Sequence, residues 1–330
     1  MIEDELRQKL LEDDFSDILG QESAKAQLKS ALLAGRHIII AGPPGVGKTT
    51  LARNVAKLLP PIKVNDCKYN CLPANPLCPE CVSKKMPSKT IKGSERFIRI
   101  QGSPDLTSED LLGDIDPIKA LKLGPSSLEA FTPGKIFLAN NGILFFDEIN
   151  RCPEKLQNAL LQVLEEKKAT IGSYKVDISA DFIFIGTMNP KDTSTEKLSE
   201  VFLDRFDIVY MGYPENLGIE EQIVLKKGKK ITGFPEELLQ MTVEFVRQLR
   251  ESKKVSKAPS VRATLGLYER AQTTALLRRH PKVQIEDIKD SLISVLAHRI
   301  ELKPSVKYAM TPEQFIEEEA EIFEKKGGYR

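Results

Sequence analysis

The chain has 330 residues, of which 41% are hydrophobic and 29% are charged, and its formal net charge is +1. This length allows two domains with a sizeable core, and the balance of residue types is typical of a soluble globular protein. A charge near zero gives no electrostatic reason to expect bulk binding to nucleic acid or to an anionic membrane. No apolar run approaches the roughly 18 residues of a membrane span. The first residues, Met1 to Glu5, are acidic where a secretory signal would be basic, so we expect a cytoplasmic protein.

The first two-thirds of the chain alternates helical patterns with short apolar runs. Residues 1–35 predict two amphipathic helices, and helices are also predicted from the glycine-rich turn after residue 41 to about residue 59 and over 155–166. Buried strands are predicted at 38–41, 97–100, 142–148, 181–187 and 206–211, with a hairpin over 169–176. Uninterrupted apolar strands alternating with helices indicate a mostly parallel sheet that is covered on both faces.

Two stretches, 66–92 and 102–135, interrupt this alternation and are interpreted as insertions, the second with short helices. Beyond residue 213 the strand signal disappears. Helices are predicted there at 219–227, 236–252, 260–279 and 285–300, and Thr311–Gln314 predicts the capping box of one more. We therefore place an α/β domain at 1–213 and a helical domain at 214–330.

A glycine-rich turn between the first strand and its helix carries the most specific motif. It matches the G-x-x-x-x-G-K-[ST] pattern with Gly42, Pro43, Pro44, Gly45, Val46, Gly47, Lys48, Thr49 and Thr50. Glycines let backbone N–H groups turn inward around an anion, and the following helix adds its positive end. Lys48 is predicted to reach the β- and γ-phosphates of ATP, and the Thr49 hydroxyl to hold Mg²⁺.

Two acids end the strand at 142–148. Asp147 is predicted to help hold Mg²⁺ through its water shell, and Glu148 to take a proton from the attacking water or to orient it. The alternative is that both acids are solvated and that Glu148 and Asn150 cap the next helix. Asn189 ends the following strand and is predicted to hold the same water or touch the γ-phosphate, unless it only forms a loop.

Two arginines are candidates for sensing or stabilising phosphate charge. Arg205 precedes the last strand and is predicted to act as an arginine finger toward a neighbouring subunit; a surface ion pair with Asp204 is the alternative. Arg262 begins a helix of the second domain and is predicted to contact the γ-phosphate, unless it is a solvated residue at a helix start.

Four of the five cysteines lie together in the first insertion, at Cys67, Cys71, Cys78 and Cys81. They supply a full tetrahedral thiolate set, and the second pair has the spacing of a zinc knuckle. Structural Zn²⁺ is the preferred interpretation, with an iron–sulfur cluster or free, redox-active thiols as alternatives. A metal would stabilise an insertion that has few apolar residues of its own.

Taken together, these residues resemble the AAA+ ATPases, and within them the group of MoxR-type ATPases and magnesium-chelatase ATPase subunits. The segment ending at Gly20 and Gln21 resembles that group's N-terminal segment near the adenine. Residues 131–150 resemble its helix-2 insertion and Walker B region, 186–190 its sensor 1, 203–206 its arginine finger and 283–299 its helical lid. The cysteine insertion is similar to that of chelatase subunits, whereas residues 147–166 are closer to MoxR.

The resemblance implies a P-loop α/β domain with a five-stranded parallel sheet flanked by helices, followed by an all-α lid. It also implies a hexameric ring with ATP between subunits, coupled to metal insertion or to remodelling of a partner, in particular a von Willebrand A-domain protein. The alternative is a DNA-translocating motor related to replicative helicases, for which Lys175 in the predicted hairpin is the candidate residue. Nucleic acid is otherwise not an expected partner, because no basic stripe is evident.

Overall fold

The computed structural model describes residues 4–124, 127–171, 176–190, 192 and 198–325. The chain forms two compact units. The first comprises Met1–Ile18, Glu22–Gly42 and Gly47–Met211, and the second comprises Leu19–Gln21, Pro43–Val46 and Gly212–Arg330. The division into a nucleotide-binding domain and a lid at residue 213 remains our interpretation of this chain.

Five parallel strands form the central sheet of the first unit, as predicted. They are β1 (His37–Ala41), β4 (Phe97–Gln101), β7 (Ile143–Asp147), β10 (Ile183–Met188) and β11 (Phe206–Tyr210), in the order β11-β1-β10-β7-β4. The apolar side chains of β1 and β7 are fully buried, because helices cover both faces of the sheet. The uninterrupted apolar runs of the sequence are explained by this burial.

Nine described helices belong to the first unit. They are α1 (Asp4–Glu12), α2 (Glu22–Leu33), α3 (Lys48–Leu58), α4 (Pro79–Ser83), α5 (Ser108–Leu112), α6 (Pro117–Leu123), α7 (Lys135–Leu138), α8 (Glu154–Glu166) and α9 (Glu200–Leu203). Helix α8 buries Leu156, Leu160, Val163 and Leu164, the apolar face that its sequence predicts. One core cluster joins these side chains to the sheet.

The two insertions are more ordered than their sequences indicate. β2 (Ile62–Asn65) pairs antiparallel with β3 (Ser88–Ile91) at the base of the cysteine segment, and β5 (Gly113–Ile115) pairs with β6 (Phe131–Pro133) in the second insertion. These strands have three or four residues, too few for an alternating pattern to stand out. The predicted hairpin is formed by β8 (Lys168–Ile171) and β9 (Val176–Ser179), and its turn with Lys175 lies outside the described residues.

The second unit is mostly helical, with α10 (Leu217–Lys227), α11 (Glu236–Glu251), α12 (Val261–Leu277), α13 (Ile285–Leu296), α14 (Pro304–Lys307) and α15 (Pro312–Lys325). It also contains a short antiparallel pair, β12 (Val255–Lys257) and β13 (Glu301–Leu302), which the sequence did not reveal. The predicted capping box is confirmed, because the backbone N–H groups of Thr311 and Gln314 each donate to the other residue's side chain.

Candidate functional site

The predicted phosphate-site residues of the first unit lie at the edge of the central sheet where its parallel strands have their carboxyl ends. Register pairs Ala41 with Met188 and Gln101 with Asp147, so the ends of β1, β10, β7 and β4 meet at one edge. Gly42 begins the glycine-rich turn there, and its N–H donates to the carbonyl of Met188 over 3.1 Å. Polar residues at this edge face the crevice in which parallel α/β sheets bind their ligands.

The turn requires glycine for two distinct reasons. A side chain at Gly42 would place its Cβ 2.2 Å from the carbonyl oxygen of Met211, so the close approach of backbones excludes any other residue. Gly47 has a φ of +100°, which L side chains rarely adopt, and as the residue before helix α3 it provides no side-chain cap. The first-turn N–H groups of α3, which include those of Thr49 and Thr50, therefore have no capping side chain as partner, and this suits an anion.

Lys48 begins α3, and its Nζ donates to the carbonyl of Gly42 over 2.7 Å. The ammonium group therefore lies across the mouth of the turn, with its charge directed at the backbone that would surround a phosphate. A triphosphate fits a glycine turn, a helix N-terminus and a lysine at this spacing.

Asp147 lies at the end of β7 and is held from two sides. Its Oδ1 accepts a hydrogen bond from the buried Thr187 hydroxyl over 2.7 Å, and its Oδ2 lies 2.5 Å from Nη2 of Arg99. Thr187 and Arg99 belong to the neighbouring strands β10 and β4. The carboxylate is thus oriented by both neighbours of its own strand, with a cation already beside it.

Glu148 has a left-handed backbone conformation with a φ of 57° and precedes a 3₁₀ turn, Ile149–Arg151. Its side chain makes no capping hydrogen bond to that turn. Instead Oε2 accepts from Nε2 of Gln101 over 3.2 Å and lies 3.3 Å from Nη1 of Arg151. Gly102 packs so closely that a Cβ would fall 2.1 Å from the carbonyl oxygen of Glu148. The capping alternative for this side chain is therefore wrong in this structure.

Asn189 follows β10 and is half-buried beside the two acids. Its carbonyl oxygen accepts from Nδ2 of Asn150, over 3.4 Å, and from the N–H of Asp192. The backbone at Asn189 is thus linked to the segment that follows Glu148, which places the sensor candidate at the same sheet edge.

Arg99, Gln101 and Arg151 surround the two acids but were not among the predicted site residues. A sequence signal for two of them existed, because Arg99 and Gln101 alternate with apolar residues on β4. Only the strand order, which puts β4 next to β7, identifies them as neighbours of Asp147 and Glu148.

The remaining predicted nucleotide residues belong to the second unit. Within it, a Cβ at Gly45 would lie 3.0 Å from Oγ of Ser260 and 3.1 Å from Cγ of Arg262, at the start of α12. Gln21 donates from Nε2 to the carbonyl of Gly212 over 2.8 Å, and Gly20 packs against the Ile219 side chain. Residues 43–46 of the phosphate loop and the Gly20–Gln21 segment thus both contact the first half of the helical unit.

Arg205 does not join the other candidates in the first unit. It precedes β11, whose first residue pairs with His37 at the amino end of β1, so it lies at the edge opposite Asp147. Its guanidinium pairs with Glu165 of α8 at 2.5 Å and also with Asp204 at 3.4 Å, so the surface ion pair considered as the alternative is present in this structure. A role for Arg205 in phosphate chemistry therefore requires another copy of the chain.

The four predicted cysteines come together on α4 and on the loop that joins β2 to α4. Their Sγ atoms all lie within 4.8 Å of one another, and three of the four residues are buried. A tetrahedral Zn²⁺ with Zn–S bonds of ~2.3 Å would need sulfurs ~3.8 Å apart. An iron–sulfur cluster would separate its cysteines further, because its irons are themselves apart. The spacing favours one tetrahedral ion.

The surroundings of these sulfurs also suit thiolates. Backbone N–H groups of Leu77 and Cys78 point at Sγ of Cys71 over 3.3 and 3.4 Å, and that of Cys71 points at Sγ of Cys67. Without a cation, burial raises the pKa of the Cys71 thiol to about 11 and raises that of Cys78 further. A bound metal would replace the protons that burial otherwise retains.

Family models match most of this chain in three segments. The model for "ATPase family associated with various cellular activities (AAA)" matches residues 80–208, that for "Magnesium chelatase, subunit ChlI" matches residues 14–71, and that for "AAA lid domain" matches residues 248–323. Cys67 and Cys71 lie within the chelatase match, Cys81 lies within the AAA match, and Cys78 lies between the two. The second insertion, 102–135, lies within the AAA match.

Curated relatives include magnesium-chelatase subunits. The magnesium-chelatase subunit ChlI homolog of Methanocaldococcus jannaschii is 28% identical, covering 88% of this chain and 86% of that protein. The chloroplastic ChlI-2 subunit of Arabidopsis thaliana is also 28% identical, covering 88% and 76%. Among solved structures, a RuvB point mutant of Thermotoga maritima aligns with a TM-score of 0.52 at 18% identity, covering 86% of this chain and 72% of that one. This last likeness shows the fold alone. Among the described helices, none has the length and apolar character needed to cross a bilayer.

Proposed function

Because this chain belongs to the AAA+ ATPases, we propose that it works as a ring-forming motor of the chelatase and MoxR type. In this proposal, ATP hydrolysis drives metal insertion into an acceptor or the remodelling of a partner protein. The observation that carries the ATPase assignment is the shared sheet edge at which Gly42, Lys48, Asp147, Glu148 and Asn189 meet. The chelatase names of the relatives support the coupling.

In this proposal, different residues of the first unit bind the phosphates, hold Mg²⁺ and activate the attacking water. Lys48 and the N–H groups of α3 bind the β- and γ-phosphates, while Thr49 and Asp147 hold Mg²⁺. Bound Mg²⁺ supplies neutralisation of the phosphate charge. Glu148 accepts a proton from the attacking water, and Asn189 holds that water in line. Arg99 pairs with Asp147 in this structure and would leave that carboxylate to Mg²⁺ if the ion were bound there.

Two arginines complete the proposed site. Arg262 contacts the γ-phosphate from the helical unit, and its contact with Gly45 supports this role. Arg205 serves the active site of a neighbouring subunit in a hexameric ring, because it lies at the sheet edge away from its own acids.

The cysteine cluster is proposed to hold one structural Zn²⁺ through Cys67, Cys71, Cys78 and Cys81. The clustering of four sulfurs and the N–H groups directed at two of them support a tetrahedral thiolate site. When bound, zinc would cross-link the insertion. It has no part in ATP hydrolysis.

The ATPase proposal is tested with Glu148→Gln. The amide keeps the size of the side chain but cannot accept a proton, so we expect ATP binding to persist while turnover falls roughly hundredfold or more. Steady-state hydrolysis and equilibrium ATP binding are measured side by side. Glu237→Gln, which removes an exposed carboxylate from α11, serves as the control and should hydrolyse ATP at the wild-type rate. Wild-type turnover in Glu148→Gln would contradict the assignment.

The same variant tests the partner. In its ATP-bound state, the Glu148→Gln variant should bind a von Willebrand A-domain protein whose gene neighbours the gene of this chain. Addition of that protein should also change the ATPase rate of the wild type. Stimulation by DNA instead, with no response to such a protein, would favour the DNA-translocating alternative.

A further inference from the structure

Glu220 of the helical unit is a completely buried carboxylate with two arginines beside it. Glu220 of α10 has no exposed surface, and Arg250 of α11 contacts both of its oxygens at 2.9 Å. The Thr264 hydroxyl of α12 donates to Oε1 over 2.7 Å, and Nη1 of Arg247 lies 3.3 Å from Oε2. We call these four residues the Glu220 cluster.

The Glu220 cluster also binds backbone on either side. Nε of Arg250 donates to the carbonyl of Pro259 over 3.0 Å, and its guanidinium lies over the Tyr213 ring, 4.4 Å from the centroid. Arg247 donates to the carbonyl of Pro214 over 2.9 Å. A single carboxylate therefore ties together the entry to the unit at 213–215, helices α10 and α11, and the start of α12.

These tied segments are the ones that contact the nucleotide-loop residues of the second unit. Gly212, which accepts from Gln21, is two residues before Pro214. Ile219, which packs on Gly20, directly precedes Glu220. Ser260 and Arg262, which approach Gly45, lie between Pro259 and Thr264. Each contact thus falls within two residues of a group that the Glu220 cluster holds.

Stability alone does not explain such a cluster. A buried ion pair contributes little net stability compared with an apolar replacement of the same volume, because both charges lose their hydration. The Glu220 cluster instead specifies how α10, α11 and α12 are arranged, because its hydrogen bonds are all satisfied together only when these three helices pack in this way. Burial by itself would raise the pKa of Glu220, but the hydrogen bonds and charge of Arg250 outweigh it and keep this pKa below its ordinary value. The group therefore stays ionised at neutral pH.

We infer that Glu220 is a positioning residue for ATP recognition, acting through the start of α12 to place Arg262 against the phosphate loop. This rests on the proposed function, in particular on a contact between Arg262 and the γ-phosphate. Glu220 itself touches no nucleotide. Its effect should therefore be largest for ligands that carry a γ-phosphate.

The test compares affinity for ADP with affinity for a non-hydrolysable ATP analogue, both measured at equilibrium with Mg²⁺. Arg262→Ala should lower the preference for the ATP analogue. Glu220→Gln should lower the same preference roughly fivefold, within the range by which residues outside a site modulate it. The preference for the ATP analogue should fall no further in the double variant than in Arg262→Ala alone, because both substitutions remove the same contact between Arg262 and the γ-phosphate.

Asp287 provides the matched control. It too is a fully buried carboxylate of the helical unit, paired with His280 and Arg278, but it lies on α13. Asp287→Asn should lower the thermal midpoint without changing the preference for the ATP analogue. If Glu220→Gln fails to fold, Arg250→Lys takes its place. Lysine keeps the positive charge but loses the bidentate contact with Glu220 and the hydrogen bond to the carbonyl of Pro259.

The outcomes separate the two hypotheses. If Glu220→Gln or Arg250→Lys keeps the wild-type preference for the ATP analogue over ADP while Arg262→Ala loses it, the inference about Glu220 is overturned. The role proposed for Arg262 then stands. Losses that multiply in the double variant also overturn that inference, because Glu220 would then act by another route. A wild-type preference in Arg262→Ala removes the role proposed for Arg262 and the inference with it.

Discussion

At the scale of single side chains, the acids of the candidate site are already paired with cations. Arg99 lies beside Asp147 and Arg151 beside Glu148, both at the rim of the sheet. Partly exposed ion pairs of this kind are worth little, on the order of 1 kcal/mol or less. A bound metal ion could therefore replace these contacts at little cost in free energy, and the two arginines reduce the repulsion between the neighbouring carboxylates.

Another single residue, His37, makes stability depend on pH. Its Nδ1 accepts a hydrogen bond from the N–H of Phe184 over 3.1 Å, which requires a neutral ring. Burial, followed by the charge of Lys167, lowers the pKa of His37 to about 4, against the opposing effect of Asp181. Because the unfolded chain takes up this proton near pH 6.5, the contribution is complete above that pH and is lost progressively toward pH 4.

We expect His37→Gln to reduce the acid sensitivity of the first unit, since glutamine can accept a hydrogen bond without titrating. The wild-type protein should lose at most about 3 kcal/mol more than the variant between pH 6.5 and 4. Urea unfolding at a series of pH values measures this difference. His298→Gln is the control and should follow the wild type; equal pH profiles for wild type and His37→Gln would refute the explanation.

At the scale of elements, the cysteine segment is attached to the strand that carries the acids. Asn140 and Asn141, just before β7, donate from their side chains to the carbonyls of Tyr69 and Asn70. Nδ2 of Asn70 donates back to the carbonyl of Leu138, and the Tyr69 and Phe137 rings are in contact, with centroids 5.5 Å apart. A metal in the cluster would therefore order the α7–β7 connection as well as its own loop.

Cys71→Ser should remove the metal, lower the thermal midpoint and increase amide hydrogen exchange over residues 135–142. Elemental analysis, after reducing and chelator-free purification, should find about one zinc per wild-type chain. Cys152→Ser changes a buried cysteine outside the cluster, so this variant should keep the zinc of the four-cysteine cluster. Iron in place of zinc would favour the cluster alternative, and the absence of both metals would favour free thiols.

At the scale of the whole molecule, the role proposed for Arg205 would make the ATPase site a property of an assembly. The sheet edges are separated by the length of β11, five residues or ~16 Å, so Arg205 and the acids of one chain are far apart. If the proposal is correct, each site needs Lys48 from one chain and Arg205 from the next.

Mixing variants tests this arrangement. Lys48→Ala and Arg205→Ala should each be inactive alone, yet the mixture should regain part of the wild-type ATPase rate, because some interfaces then pair an intact Lys48 with an intact Arg205. As a control, Lys48→Ala mixed with the double variant Lys48→Ala/Arg205→Ala should stay inactive. Failure of the first mixture to recover activity, with subunit exchange shown by light scattering or native mass spectrometry, would count against a shared site.

The sequence alone was sufficient for the parallel sheet, the glycine-rich turn between β1 and α3, most helices and the Thr311 capping box, because each depends on local periodicity or on glycine geometry. It did not reveal β2, β3, β5, β6, β12 and β13, whose few residues leave no periodic signal and whose pairing depends on distant partners.

Only the tertiary structure decided which side chains surround the acids and where Arg205 lies. Arg99 and Gln101 become neighbours of Asp147 and Glu148 through strand order, and Glu220 acquires its arginines through the packing of three helices. Local sequence specifies which element forms and where it ends, because those choices are made within a few residues. The neighbours of a buried charge are set by long-range packing, and no spacing along the chain encodes them.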